Sequence, residues 1–231
     1  MPLEARYGIA DHGGTHNNGN ANMNNVQTAA QNIRALPRTL LEMAGAPLES
    51  ARLSDAVLLI IDAQREYLDG KLPLAGIDFS LAVGGRLLAR ARAAGTPVVH
   101  VLHRGGGPLF NPQETGFQPA APLIPQSGET VVEKTMANAF AGTHLQSTLQ
   151  QTGRKKLIVI GYMTHNCISS TVRAAKDLGY ACTVVAPATG TRDLPDGRGG
   201  MIPAAELQAA CLVGLSDTLA KIAWDVEGIL D

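Results

Sequence analysis

Three side chains in this sequence have the types and the placement to do chemistry together: Asp62 in "LLIIDAQREYL", Lys134 in "VVEKTMANAF" and Cys167 in "LIVIGYMTHNCISS". Each stands at or just beyond the end of a short apolar run. A thiol reacts as its thiolate. A helix N-terminus favours the thiolate through its dipole and free N–H groups, and a lysine beside it favours it further. A carboxylate within reach takes the thiol proton and later returns it to a leaving amine. The turn at 162–167 also offers backbone N–H groups to an oxyanion, and such donors are worth roughly 3–4 kcal/mol each. Singly, each residue has an ordinary reading. Asp62 can cap a turn, Lys134 can sit on the surface, and Cys167 can be a small buried hydrophobe. Their shared position at strand ends sets them apart.

That position follows from the rhythm of the chain after residue 55. "AVLLIIDAQ" is a continuous apolar run that turns polar at its end, the pattern of a strand buried on both faces. Ile77, Leu81, Leu88 and Ala91 then recur at helical spacing. "TPVVHVLH", "TVVEK", "KKLIVIGY" and "ACTVVAP" read as further strands, and "KIAWDV" as a last one. "GTHLQSTLQQTG", "CISSTVRAAKDLG" and "PAAELQAACLVGLSDTLA" read as helices. In "RAAGTPVVHV", "QQTGRKKLIVI" and "KDLGYACTVVA" a glycine separates helix from strand, as a left-handed C-cap requires. Alternating strands and helices predict right-handed crossovers. The fold expected is a three-layer α/β/α sandwich with a mainly parallel, Rossmann-like sheet of about five or six strands. Ligands of such sheets bind beyond the carboxyl ends of the strands, where all three residues stand.

The bulk composition is that of an ordinary globular protein. The 231 residues are 45% hydrophobic and 17% charged, and the formal net charge of -1 gives no ground for a nucleic-acid partner. No apolar run approaches the roughly 20 residues of a membrane span, so no membrane partner is expected. Cys167, Cys182 and Cys211 form an odd set without framework or CxxC spacing, and a cytoplasmic location is expected. Residues 1–50 read as a Gly- and Asn-rich extension with short helices ("VQTAAQNIRAL", "RTLLEMAG"), and 51–231 as the main domain. His12 and His16 in "HGGTHNNGNANMNN" have the i, i+4 spacing of a metal pair, but Gly and Asn around them disfavour the helix it needs.

The three motifs, in this order, resemble those of the isochorismatase-like cysteine hydrolase superfamily, over roughly residues 55–226. The superfamily includes nicotinamidases, N-carbamoylsarcosine amidohydrolases, streptothricin hydrolases, biuret hydrolases and isochorismatases proper. The resemblance implies Asp62 as base, Lys134 as electrostatic partner and Cys167 as nucleophile. It implies a cis peptide at Tyr162–Met163 and an oxyanion hole made by the N–H groups of Met163 and Cys167. It implies a small-molecule substrate, no cofactor, and a homo-oligomer, a dimer or tetramer. The segment after Asp62, "DAQREYLDGKLPLAG", lacks the Asp-x-His motif and further histidine of nicotinamidases, which argues against a metal and against nicotinamide. Isochorismatases proper cleave a vinyl ether and usually lack the cysteine, so Cys167 favours an amide, lactam or ureide carbonyl. "MTHNCISST" is closer to the streptothricin-hydrolase-like and uncharacterised branches than to the others. Two other functions stay open: a vinyl ether hydrolase with Asp62 as direct acid, and a non-catalytic member that binds a small molecule or senses redox state through its thiol.

Further residues are candidates for substrate contact. His165 lies two before the nucleophile and either lines the pocket or bonds elsewhere. His100 and His103 fall on opposite faces of one strand; His103 is the pocket candidate and His100 a structural histidine. Tyr67 and Phe140 are candidates for an apolar wall, and Gln64 either contacts substrate or orients the turn after Asp62. The loop of residues 104–126 is long enough to expect a role in covering the site. "DLPDGRGG" reads as a mobile loop or an ordinary solvated one, and Cys182 and Cys211 as inert core residues.

Overall fold

The structure is a computed structural model and describes residues 36–47 and 49–231. His12, His16 and nearly all of the helix expected at "VQTAAQNIRAL" lie outside the described residues. Arg38–Asp231 forms one compact unit. Residues after Pro37 are tied to this unit: the Leu40 N–H donates to the Asp217 carboxylate at 2.8 Å, and the Ala51 N–H to the Thr183 hydroxyl at 2.9 Å. A single short helix, α1 (Leu40–Met43), stands in "RTLLEMAG", started by a Thr39–Glu42 capping box.

The unit is built on a parallel sheet of six strands: β1 (Ala56–Ile61), β2 (Val98–His103), β3 (Thr130–Lys134), β4 (Lys156–Tyr162), β5 (Ala181–Gly190) and the last strand (Ala220–Ala223), which is β8. Their order is β3-β2-β1-β4-β5-β8, and every pairing is parallel. The helices are α2 (Ile77–Ala93), α3 (Leu145–Gln151), α4 (Ser169–Asp177) and α5 (Ala204–Thr218). The expected layered sandwich is present. "DLPDGRGG" differs from its expected loop: Leu194–Pro195 (β6) and Met201–Ile202 (β7) pair as a small antiparallel ribbon. Asp196 closes it by accepting the N–H groups of Arg198 and Gly200, an Asx-type turn that competes well with an open loop.

Two apolar layers sandwich the sheet. One holds Leu58, Ile60, Ile158 and Ile160 under α2; the other holds Val57, Leu59, Leu157 and Val159 with Val172 of α4 and Leu215 of α5. Side chains alternate across a strand, so a strand buried on both faces must be apolar throughout, and all six residues of β1 are buried. Gly95, Gly153 and Gly179 take positive φ after their helices, as their sequence positions predict.

β1 is where the winding reverses. The chain runs outward through β2 and β3 on one side of it and through β4, β5 and β8 on the other. The carboxyl ends of β1 and β4 therefore border the crevice where such sheets bind ligands. Gly161 fits there because β4 presses against β1: a Cβ would lie 1.9 Å from the Ile61 carbonyl oxygen, and its φ is +115°.

Candidate active site

Asp62 is the first residue after β1. Its N–H donates to the Val101 carbonyl at 2.8 Å, and its φ of 50° lies in the left-handed region. That conformation is uncommon for a side-chain-bearing residue, though Asp tolerates it better than most. It turns the chain away from the sheet and leaves the carboxylate at the crevice. Lys134 ends β3 in register with His103 of β2. Two strand spacings, roughly 9–10 Å, separate β3 from β1, and the long lysine stem helps to bridge them.

Cys167 lies in the turn after β4. Residues Thr164–Ile168 form a wide, π-type turn that runs straight into α4. The helical path thus begins before Cys167, earlier than "CISSTVRAAKDLG" suggests. The N–H groups of Asn166 and Ile168 both close on the Met163 carbonyl, at 3.0 and 3.2 Å. The Tyr162–Met163 peptide is cis.

These elements bring the three side chains together. The Lys134 ammonium lies 2.7 Å from Asp62 Oδ2 and donates to Cys167 Sγ at 3.3 Å. Its third proton faces His103 Nδ1 at 3.1 Å. Asp62, Lys134 and Cys167 are 0%, 1% and 4% exposed, so the cluster is shielded from water. Lys134 pairs with Asp62 through Oδ2, and apart from that ammonium and the Cys167 thiol the carboxylate meets no donor. A buried carboxylate with unused lone pairs is poised to accept a proton.

The electrostatics differ from the expected low-pKa thiol. Burial, reinforced by the Asp62 charge, pushes the Cys167 thiol up to about 12, against the opposing pull of Lys134. Burial also raises Asp62, again opposed by Lys134. One ammonium can balance one anion, and a second anion beside it would be buried without compensation. The resting site therefore keeps its thiol protonated, with one proton to move between Cys167 and Asp62. Burial of the thiol outweighs the effect of the helix start. His103 is held neutral, its pKa lowered to about 4 by burial and by the Lys134 charge, so its Nδ1 can accept from the ammonium.

The other expected residues fall in different places. Gln64 is fully buried and both ends of its amide are taken: Nε2 donates to the carbonyls of Phe117 and His103 at 2.8 and 3.0 Å, and Oε1 accepts the His103 N–H at 2.8 Å. These bonds fit the reading in which Gln64 orients the turn after Asp62, and they tie that turn to His103 and Phe117. His100 is buried against the Glu129 carboxylate at 2.9 Å, while His103 faces Lys134. His165 pairs its Nδ1 with the Thr191 hydroxyl. Tyr67 is buried in the α2 layer, edge-on to Phe110 and Tyr162. Phe140 packs against the opposite layer and stacks on Tyr180 at 6.1 Å. The two rings thus do not form one wall. Cys182 is buried and Cys211 half-buried, and neither is in a disulfide.

The 104–126 loop is stitched down beside Asp62. Ala63 accepts the Ala120 N–H and Gln118 accepts the Arg65 N–H, each at 2.8 Å. Phe110 sets its ring edge-on to both His103 and Tyr67, at 5.1 Å from each. The buried Glu66 carboxylate accepts the N–H groups of Lys71 and Phe110. Glu66 and Phe110 had no sequence signal beyond their nearness to the motif and the loop. A cavity of about 340 Å³ lies at the opposite edge of the sheet, where the strands begin, and none of the three central residues lines it. Among the described residues, no group of three His, Cys, Asp or Glu side chains is placed to hold a metal ion, and no helix is long and apolar enough to cross a membrane.

A doubly wound parallel sheet with an acid, an ammonium and a thiol at its switch point defines a three-layer α/β protein with its chemistry at the strand ends. Residues 56–212 match the isochorismatase domain model, and the chain belongs to the isochorismatase family of hydrolases. An isochorismatase structure from Pseudomonas putida superposes with a TM-score of 0.81 at 44% identity, covering 84% of this chain and 100% of that one. The secreted isochorismatase effector Isc1 of Verticillium dahliae is 38% identical over 78% of this chain and 93% of its own length. A streptothricin hydrolase of Streptomyces noursei is 33% identical over 74% of this chain and 69% of its own length.

Proposed function

We propose that the protein is a cysteine hydrolase that cleaves a C–N bond in a small amide, lactam or ureide. The observation that carries this is the single buried ammonium shared by Asp62 at 2.7 Å and Cys167 at 3.3 Å. Asp62 takes the Cys167 proton, and the total charge of the buried cluster does not change. The thiolate adds to the substrate carbonyl carbon, and the N–H groups of Met163 and Cys167 receive the oxyanion. The protonated Asp62 gives its proton to the nitrogen as the C–N bond breaks, which leaves a thioester on Cys167. Water adds to the thioester while Asp62 accepts its proton, and the thiol leaves reprotonated. Lys134 offsets the negative charge at each stage.

A panel of amides, lactams and ureas with ammonia or amine detection tests this reading. Turnover that disappears in Cys167→Ala and in Asp62→Asn supports it. A second reading draws on the raised pKa of Asp62, which favours the acid form that protonates a vinyl ether directly. Under that reading Cys167→Ala keeps most of its activity on a vinyl ether substrate. Three free cysteines suit a reducing compartment, and we place the protein in the cytoplasm on that ground. The homo-oligomer is proposed on the family resemblance, and light scattering behind a sizing column tests it.

A further inference from the structure

The cavity where the strands begin is chemically unlike the strand-end site. Its volume is about 340 Å³, within the roughly 300–1,000 Å³ of small-molecule pockets. Four cations line it: Arg52 ahead of β1, Lys156 at the start of β4, Lys176 in the last turn of α4 and Lys221 in β8. Glu49 is the one acid among the described lining residues. The whole chain has a formal net charge of -1, so this gathering of positive charge is local.

Strand register brings these residues together. Parallel pairing sets Lys156 beside Ala181 and Lys221 beside Thr183, and adjacent strands lie about 4.8 Å apart. Ala181 and Ala220 also line the cavity, with side chains too small to fill it. Lys156 is held by Asp55 at 2.6 Å. Arg52, Lys176 and Lys221 enter none of the ion pairs among the described residues. Glu49 and Asp55 offset two of the four cations, which leaves about +2 around one cavity. Like charges so placed repel, and an anion between them relieves the repulsion. A carboxylate brings one negative charge. A phosphate monoester brings about 1.5 to 2 at neutral pH, with three strong acceptor oxygens, and matches the excess better. Thr183 adds a neutral donor. It is 2% exposed, its hydroxyl accepts the Ala51 N–H at 2.9 Å, and none of the described hydrogen bonds uses its own proton. Leu41, Pro47 and Leu219 supply apolar lining beside the cations.

We propose that this cavity binds a phosphorylated small molecule. The phosphate sits among Arg52, Lys176 and Lys221, and the apolar body of the ligand lies against Leu41, Pro47 and Leu219. The site is distinct from the one that holds Cys167, and it stands whichever reaction the strand ends carry out.

The test is calorimetric titration of the full chain at low salt with phenyl phosphate, AMP, inorganic phosphate and adenosine. Phenyl phosphate or AMP is expected to bind, inorganic phosphate more weakly because it does not reach the apolar lining, and adenosine not at all. Arg52→Gln and Lys221→Gln should each weaken binding on the order of 10-fold, the lower end for a charge-assisted hydrogen bond. Added salt should weaken it as well. Arg198→Gln removes a cation from the β6–β7 turn, away from the cavity, and should leave binding unchanged. Melting temperature gives a second readout: saturating ligand should raise that of the parent and not that of the double variant Arg52→Gln/Lys221→Gln. No binding of either phenyl phosphate or AMP, binding that survives both cavity variants, an equal loss in Arg198→Gln, or inorganic phosphate binding as tightly as the organic phosphates would each overturn the proposal.

Discussion

Replacing Lys134 with methionine keeps most of the side-chain volume and removes the one charge that balances Asp62. Both partners of the pair are 0% exposed, so no discount for solvent screening applies. Breaking a buried pair from one side costs about 3–5 kcal/mol, because the remaining charge is left uncompensated. For a domain of this size each kcal/mol moves the melting temperature by about 2–4 °C, so Lys134→Met is expected to melt roughly 6–20 °C lower near pH 8. The pH dependence has a definite sign. Burial already raises Asp62 above the ordinary carboxylate range in the folded state, and without Lys134 it rises further. The folded protein then binds more protons than the unfolded chain between those two values. Stability from this group is fully present below the unfolded value and is lost as pH rises through the folded one. The deficit of Lys134→Met must therefore shrink toward acid pH, as Asp62 takes up a proton. Thermal and urea unfolding of both proteins across pH 5–8 read this directly. A variant as stable as the parent throughout, or a deficit that widens as pH falls, would refute the reasoning.

Three more outcomes follow from the same geometry. Alkylation of Cys167 by iodoacetamide should show no inflection below about pH 9, the ordinary thiol range; Asp62→Asn should lower the apparent pKa and Lys134→Met raise it. An inflection near neutrality in the parent protein would contradict the protonated resting thiol. Gly161→Ala should fail to give stable folded protein, since its Cβ would meet the Ile61 carbonyl oxygen at 1.9 Å; a melting temperature within a few degrees of the parent would show that β1 and β4 can part. Gln64→Ala strands three backbone partners, in His103 and Phe117, at about 1–3 kcal/mol for each group left unsatisfied. Limited proteolysis should then cut the 104–126 loop faster, and an unchanged cleavage rate would show that Gln64 does not hold the loop.

Much of this site is legible in the sequence because its position depends on strand ends. Apolar runs fix where β1, β3 and β4 stop, and their last or following residues are Asp62, Lys134 and the turn that leads to Cys167. Charge state is not legible in that way. The thiol pKa depends on how deeply Asp62 and Cys167 are buried and on a single lysine arriving from two strands away. Gln64 and Glu66 read as ordinary polar residues, because their hydrogen-bond partners lie at least 39 positions away for Gln64, and as far as 44 for Glu66. The ribbon at Leu194–Ile202 escaped for a related reason: two paired residues per strand give no periodicity to detect.

The central claim is that Cys167 forms the covalent bond and that Asp62 carries its proton. It is tested most directly by acid-quenching the protein during turnover of an amide or urea found in the panel and mapping the peptides by mass. The expected result is an acyl adduct on the peptide that holds Cys167, at the mass of substrate less its amine, no adduct in Asp62→Asn, and no turnover in Cys167→Ala. Turnover that persists in Cys167→Ala would contradict it.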